Sequence, residues 1–96
     1  VKTREEIVSI LVAHKAEFRR RYKVRRMALF GSYARNEQGP ASDVDILVHV
    51  DPSIGLEFVT LAEDAEKLMG LPVNLVSRRA VNARHMKYIR PDLFYV

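Results

Sequence analysis

Residues 43 to 50 read DVDILVHV. With the two-residue period of a strand, Val44, Ile46, Val48 and Val50 share one face, and Asp43, Asp45, Leu47 and His49 share the other. The first set is core. The second places two carboxylates on one side of an extended segment, which a strand built only for packing does not carry. Upstream, Val24 to Phe30 is a short, largely apolar run that stops at Gly31-Ser32 and reads as a buried strand. Between the two strands lies a mostly polar stretch in which Tyr33 to Gln38 is predicted to form one or two helical turns, ended by Gly39-Pro40.

The flanks read as helices. Thr3-Arg4-Glu5-Glu6 has the form of a capping box, so a helix starts there, with Ile7, Ile10, Leu11, His14 and Phe18 on one stripe and an end near Arg21 or Tyr22. Arg19-Arg20-Arg21 in the last turn complements the negative end of the helix dipole. After Asp51-Pro52-Ser53, the residues Phe58, Leu61, Ala62, Ala65, Leu68 and Met69 mark a second long helix closed by Gly70. Val73 to Val76 is predicted as a third strand, Arg79 to about Tyr88 as a basic helix, and Leu93 to Val96 as a short apolar end. The expected order is αβαβαβα.

Ninety-six residues without cysteine allow one modest core with no disulfide and no thiolate-held metal. The expectation is a single domain over residues 1–96. No apolar run is long enough to span a bilayer, which points to a soluble, cytoplasmic protein. Charge is segregated. Residues 1 to 40 hold ten basic against four acidic side chains, 41 to 70 one against seven, and 71 to 96 five against one. An acidic centre between basic flanks suits a site for both a cation and a polyphosphate, although solvated helix faces give the same pattern.

Side chains two apart on a strand start roughly 6.5 to 7 Å apart, so Asp43 and Asp45 can converge on one cation. Without it they repel by about 3 kcal/mol at an effective dielectric of about 20, and by far less if both are solvated. Magnesium binds through one or two carboxylates plus substrate phosphates, which fits this pair. Gly31 lets backbone approach a phosphate, the following amides and the Ser32 hydroxyl point toward it, and Arg35 stands one turn further along. The chemistry indicated is phosphoryl or nucleotidyl transfer.

The stretch GSYARNEQGPASDVDILV, spaced G-S-x10-D-x-D, resembles the signature of the DNA polymerase beta-like nucleotidyltransferase superfamily, and the short length resembles its minimal nucleotidyltransferase (MNT) branch. The resemblance runs from the first helix through LMGLPVNLV to DLFYV. It implies an α/β (α+β) nucleotidyltransferase fold, a small mixed sheet flanked by helices. It further implies ATP as substrate, two magnesium ions on Asp43 and Asp45, and phosphate contacts from Gly31, Ser32 and Arg35. Members commonly pair with an all-helical HEPN toxin as its antitoxin, and some transfer AMP to it. The family's third carboxylate falls at Asn74 here. An amide coordinates weakly or donates a hydrogen bond, but it does not take a proton as a base. Asp51 or Glu57 are candidate substitutes.

Two rival readings stand beside AMP transfer to a partner protein. One is a nucleotidyltransferase-fold module that neutralises its partner by binding alone, motivated by Asn74. The other is a nucleic-acid binder using RRRYKVRR, residues 19 to 26, together with Arg78, Arg79, Arg84, Lys87 and Arg90, although a solvated helix end explains that run as well. His14, His49 and His85 show no metal-ligand spacing. His14 is expected as a satisfied, partly buried residue and His49 as the one histidine near the acidic pair. Tyr33 fits the nucleotide site or the core equally well.

Overall fold

The computed structural model describes residues 2–96. Its elements are α1 (Arg4–Tyr22), β1 (Val24–Phe30), α2 (Gly31–Ala34), β2 (Val44–Val50), α3 (Glu57–Met69), β3 (Val73–Ser77), α4 (Ala83–Ile89) and β4 (Phe94–Tyr95). Short 3₁₀ turns lie at Pro52–Ile54, Arg78–Ala80 and Arg90–Asp92. The sheet runs in the order β3-β2-β1-β4, with β1 antiparallel to β2 and β4, and β2 parallel to β3. The parallel pair is joined through α3, the crossover that a parallel connection requires.

Local chemistry sets the element ends. The capping box forms as expected: Thr3 Oγ1 accepts from the Glu6 amide and Glu6 Oε1 accepts from the Thr3 amide, each at 3.1 Å. Lys23 turns the chain out of α1 in the left-handed region (φ 58°), and Gly70 does the same after α3 (φ 67°).

α1 and α3 cover one face of the sheet. Ile7, Leu11, Phe18 and Tyr22 of α1 and Leu61 and Met69 of α3 pack with Val44, Ile46, Val48 and Val50, the face assigned from the alternation. The opposite face carries Leu47, which packs with Val81 and Met86 under α4. His14 is half-buried on α1, its Nδ1 2.9 Å from the Ile10 carbonyl, as expected of a structural histidine.

Four expectations are corrected. The helix after β1 is Gly31–Ala34 rather than Tyr33–Gln38, because Asn36 takes φ 59° and the Glu37 amide folds back to the Ser32 carbonyl at 2.8 Å. β2 begins at Val44, leaving Asp43 on the approach to the strand. The basic tail is not one helix: a turn at Arg78–Ala80 is followed by α4, which starts where Asn82 Oδ1 caps the His85 amide at 2.9 Å. The terminal apolar run supplies a fourth strand, Phe94 pairing with Leu29 and Tyr95 with Ala28.

Where α1 meets α3, the Tyr22 hydroxyl donates to Asp64 Oδ2, which also sits 3.2 Å from Arg21 Nη1. Burial, then the Asp64 contact, pushes the Tyr22 hydroxyl up to about 12. A pKa raised on folding means the contribution is whole below the unfolded value near 10 and is lost as pH rises through about 12. Tyr22→Phe is therefore expected to cost about 1 kcal/mol near neutral pH, a melting-temperature drop of about 4–8 °C, and to flatten the alkaline decline. Thermal melts across pH 7 to 12 check it.

Candidate active site

The sheet register assembles the site. Asp45 on β2 lies opposite Phe30 on β1 and beside Asn74 on β3, so the strand end at Phe30-Gly31 meets the acidic strand directly. Gly31 opens α2 with φ 74°, a conformation that disfavours a side chain. A Cβ placed there would overlap Asp45 Oδ2 and stand 3.0 Å from its Cγ. Glycine is thus required twice, for the backbone angle and for the approach of the carboxylate.

Asp45 is half-buried. Burial raises its pKa most, the Asn74 hydrogen bond opposes this, the nearby Asp43 charge raises it further, and Arg35 lowers it; the net direction is up. Asn74 Nδ2 donates to Asp45 Oδ1 at 3.1 Å. Asp43 is exposed. Ser32 is half-buried in the first turn of α2. Arg4 Nη1 donates to the Ala34 carbonyl at 3.1 Å, fixing the far end of α2 to α1.

Arg35 follows α2 and is exposed, with Nε 2.8 Å from Glu37 Oε1 and Nη1 2.7 Å from Asp92 Oδ2. Those two contacts raise its pKa, that to Glu37 most. Asp92 was not a candidate from sequence. It opens the DLFYV stretch of the resemblance but was given no role there, and it reaches Arg35 because β4 returns the chain to β1.

Other candidates lie elsewhere. Asp51 follows β2 at the pole opposite Asp45, where it accepts from the Ser53 amide at 2.9 Å and pairs with Arg25 Nη2 at 3.0 Å. Its pKa falls to about 2, first through the Ser53 amide. Glu57 opens α3 at that same pole. Neither can replace the carboxylate absent at Asn74. His49, four residues along β2 from Asp45 and so about 13 Å away, pairs instead with the Tyr95 hydroxyl at 3.3 Å. Tyr33 is buried in the core.

Among the described residues no group of three or more histidines, cysteines or carboxylates forms a metal cage. The carboxylates available beside the bend are Asp45 and, on the approach to β2, Asp43, oxygen donors of the kind a hard cation takes.

A family model described as a nucleotidyltransferase domain matches residues 11–93. The chain is 46% identical over 96 residues to the protein adenylyltransferase MntA of Thermococcus cleftensis, covering 98% of this chain and 96% of that one. A solved structure provisionally described as a minimal nucleotidyltransferase superposes with TM-score 0.66 at 26% identity, over 95% of this chain and 86% of that one. A crystal structure of a toxin-antitoxin with AMP-PNP superposes with TM-score 0.70 at 22% identity, over 98% and 72% of the two chains, and supports the fold alone. The G-S bend against an aspartate-bearing strand, the mixed sheet and these matches agree: the chain belongs to the nucleotidyltransferase domain family, in its minimal nucleotidyltransferase branch.

Proposed function

We propose that residues 1–96 act as one magnesium-dependent nucleotidyltransferase domain that moves AMP from ATP to a partner protein, as the antitoxin of a HEPN/MNT pair in the cytoplasm. The observation that carries this reading is the fit of Asp45 against Gly31, a close approach that puts the carboxylate at the mouth of the phosphate-binding bend. The name of the Thermococcus cleftensis relative supports it.

In the transfer, an acceptor hydroxyl attacks the α-phosphorus of ATP; its oxygen bonds to phosphorus, the bond to pyrophosphate breaks, and the hydroxyl proton passes to solvent. Asp43 and Asp45 would hold two magnesium ions, which stabilise phosphate charge and lower the pKa of the hydroxyl. The Gly31 backbone and the Ser32 hydroxyl hold phosphates, and Arg35 exchanges Glu37 or Asp92 for a phosphate oxygen. Asn74 orients Asp45 through its Oδ1 and serves as no base.

The test is label transfer from ATP marked on its α-phosphate to the co-expressed partner. Label on the partner with native protein and none with Asp45→Asn is the expected result; no transfer to any cognate partner in the presence of magnesium and ATP would sink the reading. Asn74 favours one second reading, neutralisation by contact alone, in which Asp45→Asn still neutralises the partner.

Asn74→Asp separates the effects of charge and metal. The substitution deletes the amide donor to Asp45 and adds a third negative charge, so the magnesium-free protein is expected to melt several degrees lower. Magnesium should return that loss, and transfer should run roughly tenfold or more faster as the extra ligand tightens the site. Equal melting temperatures without metal would refute the electrostatic account.

A further inference from the structure

The Arg35 guanidinium meets two carboxylates in unequal surroundings. Glu37 Oε1 accepts from Nε at 2.8 Å, and Asp92 Oδ2 accepts from Nη1 at 2.7 Å. The Glu37 side chain is 64% exposed, that of Asp92 only 19%. An ion pair standing in water is screened and costs side-chain entropy, so it holds weakly, whereas a largely buried one is screened much less. Glu37 is therefore the contact that a competing anion displaces.

The backbones carrying Arg35 and Asp92 are held together independently of that pair. Arg4 Nη1 donates to the carbonyl of Ala34, the residue before Arg35, and the Arg4 guanidinium lies 5.2 Å over the Phe94 ring in β4. Asp92 closes the 3₁₀ turn Arg90–Asp92, where the Leu93 amide donates to the Arg90 carbonyl at 3.2 Å, and Phe94 pairs with Leu29 in the sheet. Asp92 is thus a fixed anchor, while Glu37 reaches Arg35 by a flexible, exposed side chain.

The donors used are also unequal. A guanidinium offers carboxylate or phosphate a side-on fork made of its Nε and Nη2 hydrogens. Asp92 takes Nη1, outside that fork. Glu37 takes Nε alone, and among the described residues Nη2 has no hydrogen-bond partner.

We propose that Asp92 is a positioning residue that grips Arg35 Nη1 and turns the Nε–Nη2 fork toward a phosphate of the nucleotide, with Glu37 as a placeholder the phosphate displaces, a role that rests on nucleotide binding at the Gly31–Asp45 bend. Both carboxylates carry the same charge and touch the same cation, so electrostatics alone makes removal of either one tighten an anion. Positioning gives the two removals opposite signs.

The test is titration of the protein and its variants with a non-hydrolysable ATP analogue in magnesium. Glu37→Gln is expected to bind roughly threefold more tightly and Asp92→Ala roughly tenfold more weakly. Asp92→Asn, which keeps an oxygen acceptor but loses the charge, should shift in the same direction as Asp92→Ala. In an Arg35→Gln background neither substitution of Asp92 should change affinity, because the group it positions is gone; a merely structural Asp92 would weaken binding there as well. The Arg35 Nε–H signal in two-dimensional NMR, identified by its loss in Arg35→Gln, should move on saturation with the analogue. Unchanged or tighter binding by Asp92→Ala, weaker binding by Glu37→Gln, an equal loss in the Arg35→Gln background, or an unmoved Nε–H signal would each overturn the proposal and leave nucleotide binding standing. No binding of the analogue by the native protein would remove the nucleotide site and the role of Asp92 together.

Discussion

Asp45→Asn is expected to abolish AMP transfer, by about a thousandfold or more, while raising the melting temperature of the magnesium-free protein. The loss follows from the several kcal/mol of charge stabilisation that a carboxylate-held metal contributes to phosphoryl chemistry, at about 1.4 kcal/mol per tenfold in rate. The gain in stability follows from the environment of the carboxylate. Burial and the neighbouring Asp43 push the Asp45 pKa up, so the folded state prefers its protonated form. A raised pKa makes the fold most stable, as far as this group is concerned, below the unfolded value, and removes that stability as pH rises through the folded one. Asparagine is neutral at every pH and its Oδ1 still accepts from Asn74 Nδ2. Melts of both proteins from pH 4 to 8 in chelator should therefore diverge as pH rises, with the variant higher. Parallel curves would remove the claim that the site stores electrostatic strain, and undiminished transfer would remove Asp45 from the chemistry.

Gly31→Ala is expected to damage both fold and site. A Cβ at φ 74° costs about 1–2 kcal/mol from backbone sterics alone. It also overlaps Asp45 Oδ2, and the neighbours cannot yield freely because Asn74 holds the same carboxylate and the β1–β2 ladder holds Phe30 opposite it. A total near 3 kcal/mol corresponds to a melting-temperature drop of about 10 °C or more in a chain this size. Nucleotide binding should fall with it, because Asp45 is displaced from the bend. A calorimetric scan and titration with a non-hydrolysable ATP analogue in magnesium check the two effects; an unchanged melt would show that the bend relaxes without strain.

Much of this was readable from residue order because the governing interactions are short-ranged. A Thr-x-x-Glu box fixes a helix start within four residues, Gly70 fixes a helix end by its backbone freedom, and the alternation over Val44 to Val50 assigns the core face whatever packs on it. The spacing of the Gly-Ser bend and the two aspartates was legible as a motif, and the β1–β2 register brings Asp45 of the next strand against Gly31. The length of α2 was not, since Asn36 adopts a left-handed turn in place of the further helical turns expected. The break at Asn82 was missed because a basic run hides a cap whose only mark is one side-chain oxygen.

By itself the order of residues determined where α1 begins, which strand face is apolar, and that Asp45 and Gly31-Ser32 are candidates for one site, which the structure brings side by side at Gly31. Only the tertiary structure decided what surrounds them. Asn74 reaches Asp45 from 29 positions away, and Asp92 reaches Arg35 from 57, because β3 lies parallel to β2 and β4 returns antiparallel to β1. Such contacts depend on strand register, which is set by the collective burial of two sheet faces rather than by any local propensity.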